Sequence, residues 1–115
     1  MRKGDCMKVV PYQLEDLKRV VIPLGYAGEN ERMAIKFECG GLFAEYPGAV
    51  PALAVKPPRG EIYLGILVRD GDAVTWVLSA SDLAYDGDGF IQLSFIQDGA
   101  VAKSYKGRTS IGESL

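Results

Sequence analysis

The chain contains no histidine among its 115 residues. That removes the commonest general base, the usual partner of a nucleophilic serine or cysteine, and the commonest metal ligand. Only two cysteines are present, Cys6 and Cys39. A structural zinc site of four Cys and His ligands therefore cannot be assembled. The apolar runs are far shorter than the ~20 residues that a membrane helix needs, so no membrane partner is expected. Arg2 and Lys3 are not followed by an apolar segment, so a signal peptide is not expected. Without one, the two cysteines are expected to stay reduced, and Cys39 reads as a small buried hydrophobe. No basic cluster is long enough for a nucleic-acid footprint, and the net charge is −2.

Phosphate-binding motifs are missing too. No Gly-Lys-Ser/Thr follows a glycine-rich turn, and Gly87-Asp88-Gly89 lacks the third glycine of a dinucleotide fingerprint. Calcium fails on ligand count. A loop opened at Asp86 would put Phe90, Ile91 and Gln97 at positions that need oxygen ligands or glycine. Glu38, Glu45 and Glu61 offer carboxylates, but nothing in their spacing pairs them for glycoside hydrolysis. The expectation is a chain with no catalytic residues, no cofactor and no metal.

What is present is turn chemistry. Asp-Gly occurs four times, at 70, 86, 88 and 98. Between the pairs lie runs of Val, Ile, Leu, Phe, Thr and Trp. Asp-Gly suits the left-handed backbone of a tight hairpin, because glycine has no Cβ to clash. Residues 32–39 alternate, with Met33, Ile35, Phe37 and Cys39 on one face. Ile62, Leu64, Ile66 and Val68 read as a second inward row. Ile91, Leu93 and Phe95 read as a third. Trp76 reads as a core anchor whose indole N–H should find an acceptor. Pro23 restricts Val20-Val21-Ile22 to a sheet edge or a strand end. Ser81 or Asp82 reads as the cap of a short helical turn, after which Asp86-Gly87-Asp88-Gly89 passes the chain to a second sheet.

No helical patterns of 10–15 residues separate the strands, so a parallel sheet is not expected. The reading is all-β: an antiparallel β-sandwich of seven to eight strands over residues 20–115. Residues 1–19 form an N-terminal extension, either a short helix or an arm. Six tyrosines supply material for a contact surface, since tyrosine joins apolar area to a polar tip. Tyr46 and Tyr63 are the candidate interaction residues.

Several elements, taken in order, carry a resemblance. They are Pro23-Leu24-Gly25-Tyr26 with Gly28-Glu29-Asn30, Tyr46-Pro47-Gly48-Ala49, Lys56-Pro57-Pro58 and Tyr63. Then come Asp70-Gly71 with Thr75-Trp76, Asp82, Gly87-Asp88-Gly89 before Gln92-Leu93, Asp98-Gly99 and Lys103-Ser104. From Val20 to Leu115 the chain resembles small prophage proteins of Gram-positive bacteria, which are similar to the N-terminal domain of phage upper baseplate proteins. The resemblance implies an immunoglobulin-like sandwich and a non-catalytic structural role in a phage tail or baseplate. It implies other tail or baseplate proteins as partners, a homo-oligomer, and a place in the virion after synthesis in the host bacterial cytoplasm. It supplies no site residues. The alternative reading is a carbohydrate-binding β-sandwich that takes a cell-surface glycan through tyrosines.

Overall fold

Alternating burial organises nearly every strand of the computed structural model, which describes residues 8–28 and 33–113. Cys6, Arg32, the Glu29-Asn30 end of one loop and the last two residues lie outside that range. Nine strands are described: β1 (Lys8–Gln13), β2 (Val21–Tyr26), β3 (Met33–Glu38), β4 (Val50–Lys56), β5 (Tyr63–Leu64), β6 (Ile66–Asp70), β7 (Ala73–Val77), β8 (Gly87–Gln97) and β9 (Ala100–Gly112). They form two sheets, ordered β1-β3-β7-β6 and β2-β9-β8-β4-β5. The sheets pack face to face around one core that includes Ile35, Phe37, Val74 and Trp76 from the first and Leu53, Ile91, Leu93 and Phe95 from the second. The expected β-sandwich is therefore present.

Its sheets are mixed rather than purely antiparallel. β1 runs parallel to β3, and β2 runs parallel to β9. A parallel pair needs a crossover connection. Here a 3₁₀ helix (Leu14–Arg19) and β2 supply it, carrying the chain from one sheet to the other and back. No long helix is required, which is why the missing helical periodicity did not betray it. Residues 8–19 thus hold both an extended strand and a helical turn. Leu14 and Leu17 of that turn are buried, and Leu17 closes over Gly107 of β9. Pro23 does sit in an edge strand, β2, at the end of one sheet.

The Asp-Gly pairs separate by geometry. Asp70-Gly71 turns β6 into β7, with Gly71 at φ 62°. Asp98 and Gly99 have φ 54° and 79°, the doubly left-handed pair of a tight hairpin between β8 and β9. The pairs at 86 and 88 instead follow a second 3₁₀ turn (Ala80–Leu83), where the chain leaves the four-stranded sheet for β8 of the other. Ser79 and Asp82 form the capping box of that turn. The Ser79 N–H donates to Asp82 Oδ2 at 2.8 Å, and the Ser79 hydroxyl donates to the same oxygen at 3.1 Å.

One inward row is displaced by a residue. Ile62, Leu64, Ile66 and Val68 face solvent, at 62, 73, 55 and 51% exposure. Tyr63 and Leu67 turn inward instead, and Gly65 lies between them against the core. A Cβ on Gly65 would fall 2.9 Å from Leu53 Cδ2 and 3.0 Å from Trp76 Nε1, so only glycine lets the backbone lie this close. The Gly65 N–H donates to the Leu53 carbonyl at 2.8 Å. At this point the chain switches from the edge of one sheet to the edge of the other. Because the side-chain period is two, the one-residue offset exposes the whole aliphatic row.

Trp76 is a fully buried anchor, but its Nε1 has no hydrogen-bond partner among the described residues. It packs against Gly65 where an acceptor was expected. That buried donor is already desolvated without compensation. Trp76→Phe is therefore expected to cost only about 1–2 kcal/mol, chiefly through lost volume. Urea unfolding followed by circular dichroism measures it. A loss above about 4 kcal/mol would mean that the N–H makes a bond after all.

Candidate functional site

The exposed aliphatic row continues onto the outer face of the five-stranded sheet. Outward positions follow from register: Leu64 lies opposite Ala54, Ala54 opposite Gln92, and Gln92 opposite Lys106. One step along, Lys56 lies opposite Phe90, and Phe90 opposite Arg108. Phe90 is 55% exposed, although its neighbours Gly89 and Ile91 are buried. Ile62, Phe90, Ala54, Lys56, Gln92 and Lys106 line a hollow of about 330 Å³ there. An open apolar surface of this kind, rimmed by polar groups, makes this face the candidate site. Sequence alternation alone had placed Ile62 and Leu64 inside. It had left Phe90 unassigned, although Phe90 stands out of phase with Ile91, Leu93 and Phe95.

Tyr46 and Tyr63 lie elsewhere. Tyr46 is half-buried at the end of the helical turn α1 (Leu42–Glu45), where its carbonyl accepts from the Ala49 N–H just before β4. Tyr63 is half-buried opposite Val55, near the other end of β4. The two therefore do not form one patch. The Tyr63 hydroxyl donates to Asp82 Oδ1. Asp82 is itself buried and joins the edge of the five-stranded sheet to the turn that leaves the other sheet.

A second hollow, of about 420 Å³, lies between β1 and β2. Tyr12 and Tyr26 line it together with Lys8, Pro23 and Met33. The sequence had not distinguished these two tyrosines from the other four. They share a hollow only because β1 and β2 are edge strands of opposite sheets.

Cys39, Tyr12 and Tyr63 hold their protons more tightly in the fold than in water. Burial pushes the Cys39 thiol from its ordinary 9.0 up to about 11. Cys39 is buried and free, and its Sγ donates weakly to the Phe37 carbonyl at 3.4 Å. Such a thiol is a poor nucleophile at neutral pH. Burial also raises Tyr12, and burial together with the bond to Asp82 raises Tyr63 well above its ordinary 10.0.

Raised values mean that the folded chain keeps protons that the unfolded chain releases. The associated stability is complete well below pH 9, where both forms are neutral, and is lost as pH climbs through the folded values. The urea midpoint is thus expected to fall steadily above pH 9, and Tyr63→Phe should flatten the part above pH 10. A midpoint that stays level up to pH 11 would contradict these protonation states.

Among the described residues, no three Cys, Asp or Glu side chains are grouped so as to hold a metal ion. No described helix is long and apolar enough to cross a membrane. No protein-family model matches the chain, and no curated protein matches it. Its fold does have solved counterparts. The chain is similar to the N-terminal domain of phage TP901-1 ORF48, with a TM-score of 0.60 and 11% identity, over 92% of this chain and 98% of that one. It shares its fold with a phage protein domain. A looser likeness is to the cysteine protease inhibitor EhICP2 from Entamoeba histolytica, with a TM-score of 0.49 and 8% identity over 94% of this chain and 99% of that one. The likeness to the phage domain extends over nearly the whole of both chains, so it takes in both sheets together.

Proposed function

We propose that this chain is a non-catalytic structural component of a phage or prophage tail or baseplate, acting through protein–protein contacts. The observation that carries the reading is the fold shared with the phage TP901-1 ORF48 N-terminal domain over 92% of this chain and 98% of that one. The exposed aliphatic row and the outer-face hollow give it a physical basis, since such surface is costly to leave in water. The partners are other tail or baseplate proteins and further copies of the same chain, in the virion after synthesis in the host cytoplasm.

The test is mass spectrometry of purified particles from an induced host, with light scattering on the isolated chain. Presence in washed particles at a fixed ratio to tail proteins is expected. A chain that is absent from particles and strictly monomeric at high concentration would overturn the reading.

A carbohydrate-binding role is the second reading. The hollow lined by both Tyr12 and Tyr26 favours it, because aromatic rings suit the flat face of a sugar. A glycan array should then show saturable binding that Tyr26→Ala lowers at least tenfold. No binding to any bacterial wall glycan would remove it.

A further inference from the structure

We propose that the hollow on the outer face of the five-stranded sheet docks an extended segment of a second protein that alternates aliphatic and acidic side chains. This rests on the reading of the chain as an assembly module and names the chemistry of one partner. Three features of the site carry it.

The first is spacing. The lining pairs Ala54/Lys56 and Phe90/Gln92 are successive outward positions on two neighbouring strands, and Lys106 is the outward position of the third. Outward side chains on one strand repeat every second residue, at roughly 6.5–7 Å. A ligand in the same extended conformation presents its own side chains at the same interval.

The second is charge. Lys56 and Lys106 line the hollow, and Arg108 stands across from Phe90. The ion pairs among the described residues are Arg19–Asp16 and Lys36–Glu38, so none of these three cations is neutralised by one. Asp88, two residues before Phe90 on β8, and Glu61, next to Ile62, are exposed acids nearby in the chain, and Glu15 lines a neighbouring hollow together with Lys106 and Lys18; none of the three lines this hollow itself. The chain as a whole carries −2, so this cluster of cations runs against its overall charge. It disfavours another basic surface and attracts carboxylates.

The third is the apolar floor. Ile62, Phe90 and Ala54 provide it, and lysines such as Lys56 and Lys106 can add the apolar stems of their side chains to it while keeping their charges in water. An aliphatic side chain can fill such a floor, whereas a purely ionic ligand leaves it wet.

The test uses the full chain, isotopically labelled, and a short synthetic peptide alternating leucine with glutamate. A leucine–lysine peptide of equal length is the control. Backbone amide shifts are expected at Ile62, Phe90, Gln92 and Lys106 with the acidic peptide only, weakening as salt rises. The double variant Lys56→Glu/Lys106→Glu, altered only at exposed positions, should keep the wild-type fold and bind the acidic peptide at least tenfold more weakly. Phe90→Ser should lose binding without a change in charge.

Three results would overturn the proposal. One is no shift at these residues. Another is equal binding of both peptides. The last is a wild-type dimer that Phe90→Ser abolishes, which would give the face to a second copy. Particle association is read separately: peptide binding by a chain absent from particles supports the docking site while removing the tail role.

Discussion

Gly89→Ala should destabilise the domain by about 3 kcal/mol, a large loss for one methyl group. Gly89 occupies an inward position of β8, two residues before Ile91. A Cβ there would lie 2.6 Å from the Lys56 carbonyl oxygen and 2.9 Å from Thr109 Oγ1. The first of these is backbone at the end of β4, paired with Phe90, and cannot rotate away. β4 or β9 would have to move, loosening the pairing on both sides of β8. Gly41→Ala is the control: nothing lies within 4 Å of a Cβ there, and the loss should stay under about 1 kcal/mol. Urea unfolding of both variants decides the matter. Equal midpoints would mean that β8 is not clamped between Lys56 and Thr109.

Asp82→Ala should cost about the same, about 3 kcal/mol, by a different route. The buried carboxylate accepts from the Tyr63 hydroxyl and from both the N–H and the hydroxyl of Ser79. Removing it leaves the Tyr63 hydroxyl without its acceptor and the second 3₁₀ turn without its cap. Tyr63→Phe alone should cost about 2 kcal/mol, since it leaves the buried Asp82 Oδ1 without its donor. The two changes share one bond, so the double variant should be less destabilised than the sum, with a coupling of at least about 0.5 kcal/mol. Additive losses would show that Tyr63 and Asp82 act independently.

Much of the sandwich was legible in the residues. Val74 and Trp76, Ile91, Leu93 and Phe95, and the Ile35–Phe37–Cys39 series all face the core as their alternation requires. The hairpins at Asp70-Gly71 and Asp98-Gly99, and the change of sheet near Asp86, followed from turn chemistry that acts over a few residues. Local signals suffice where the structural cause is itself local.

The candidate contact surface was not legible. The row from Ile62 to Val68 alternates as cleanly as any core strand, yet it faces water. Alternation tells which residues share a face but not which face is buried. That choice was made by Gly65, whose bare backbone fits against Trp76 and Leu53, and by Tyr63, whose hydroxyl is held by Asp82 from a distant turn. The parallel pairings of β1 with β3 and β2 with β9 were hidden for the same reason, because strand direction depends on partners far along the chain.

The sequence by itself determined the fold class, the turns and the absence of histidine. Those depend on composition, on a period of two and on glycine at left-handed positions. Only the tertiary structure decided which aliphatic row stays in water, where Phe90 and its neighbouring cations meet, and which two tyrosines share a hollow. Each of these depends on contacts between residues far apart in the chain, which no local pattern encodes.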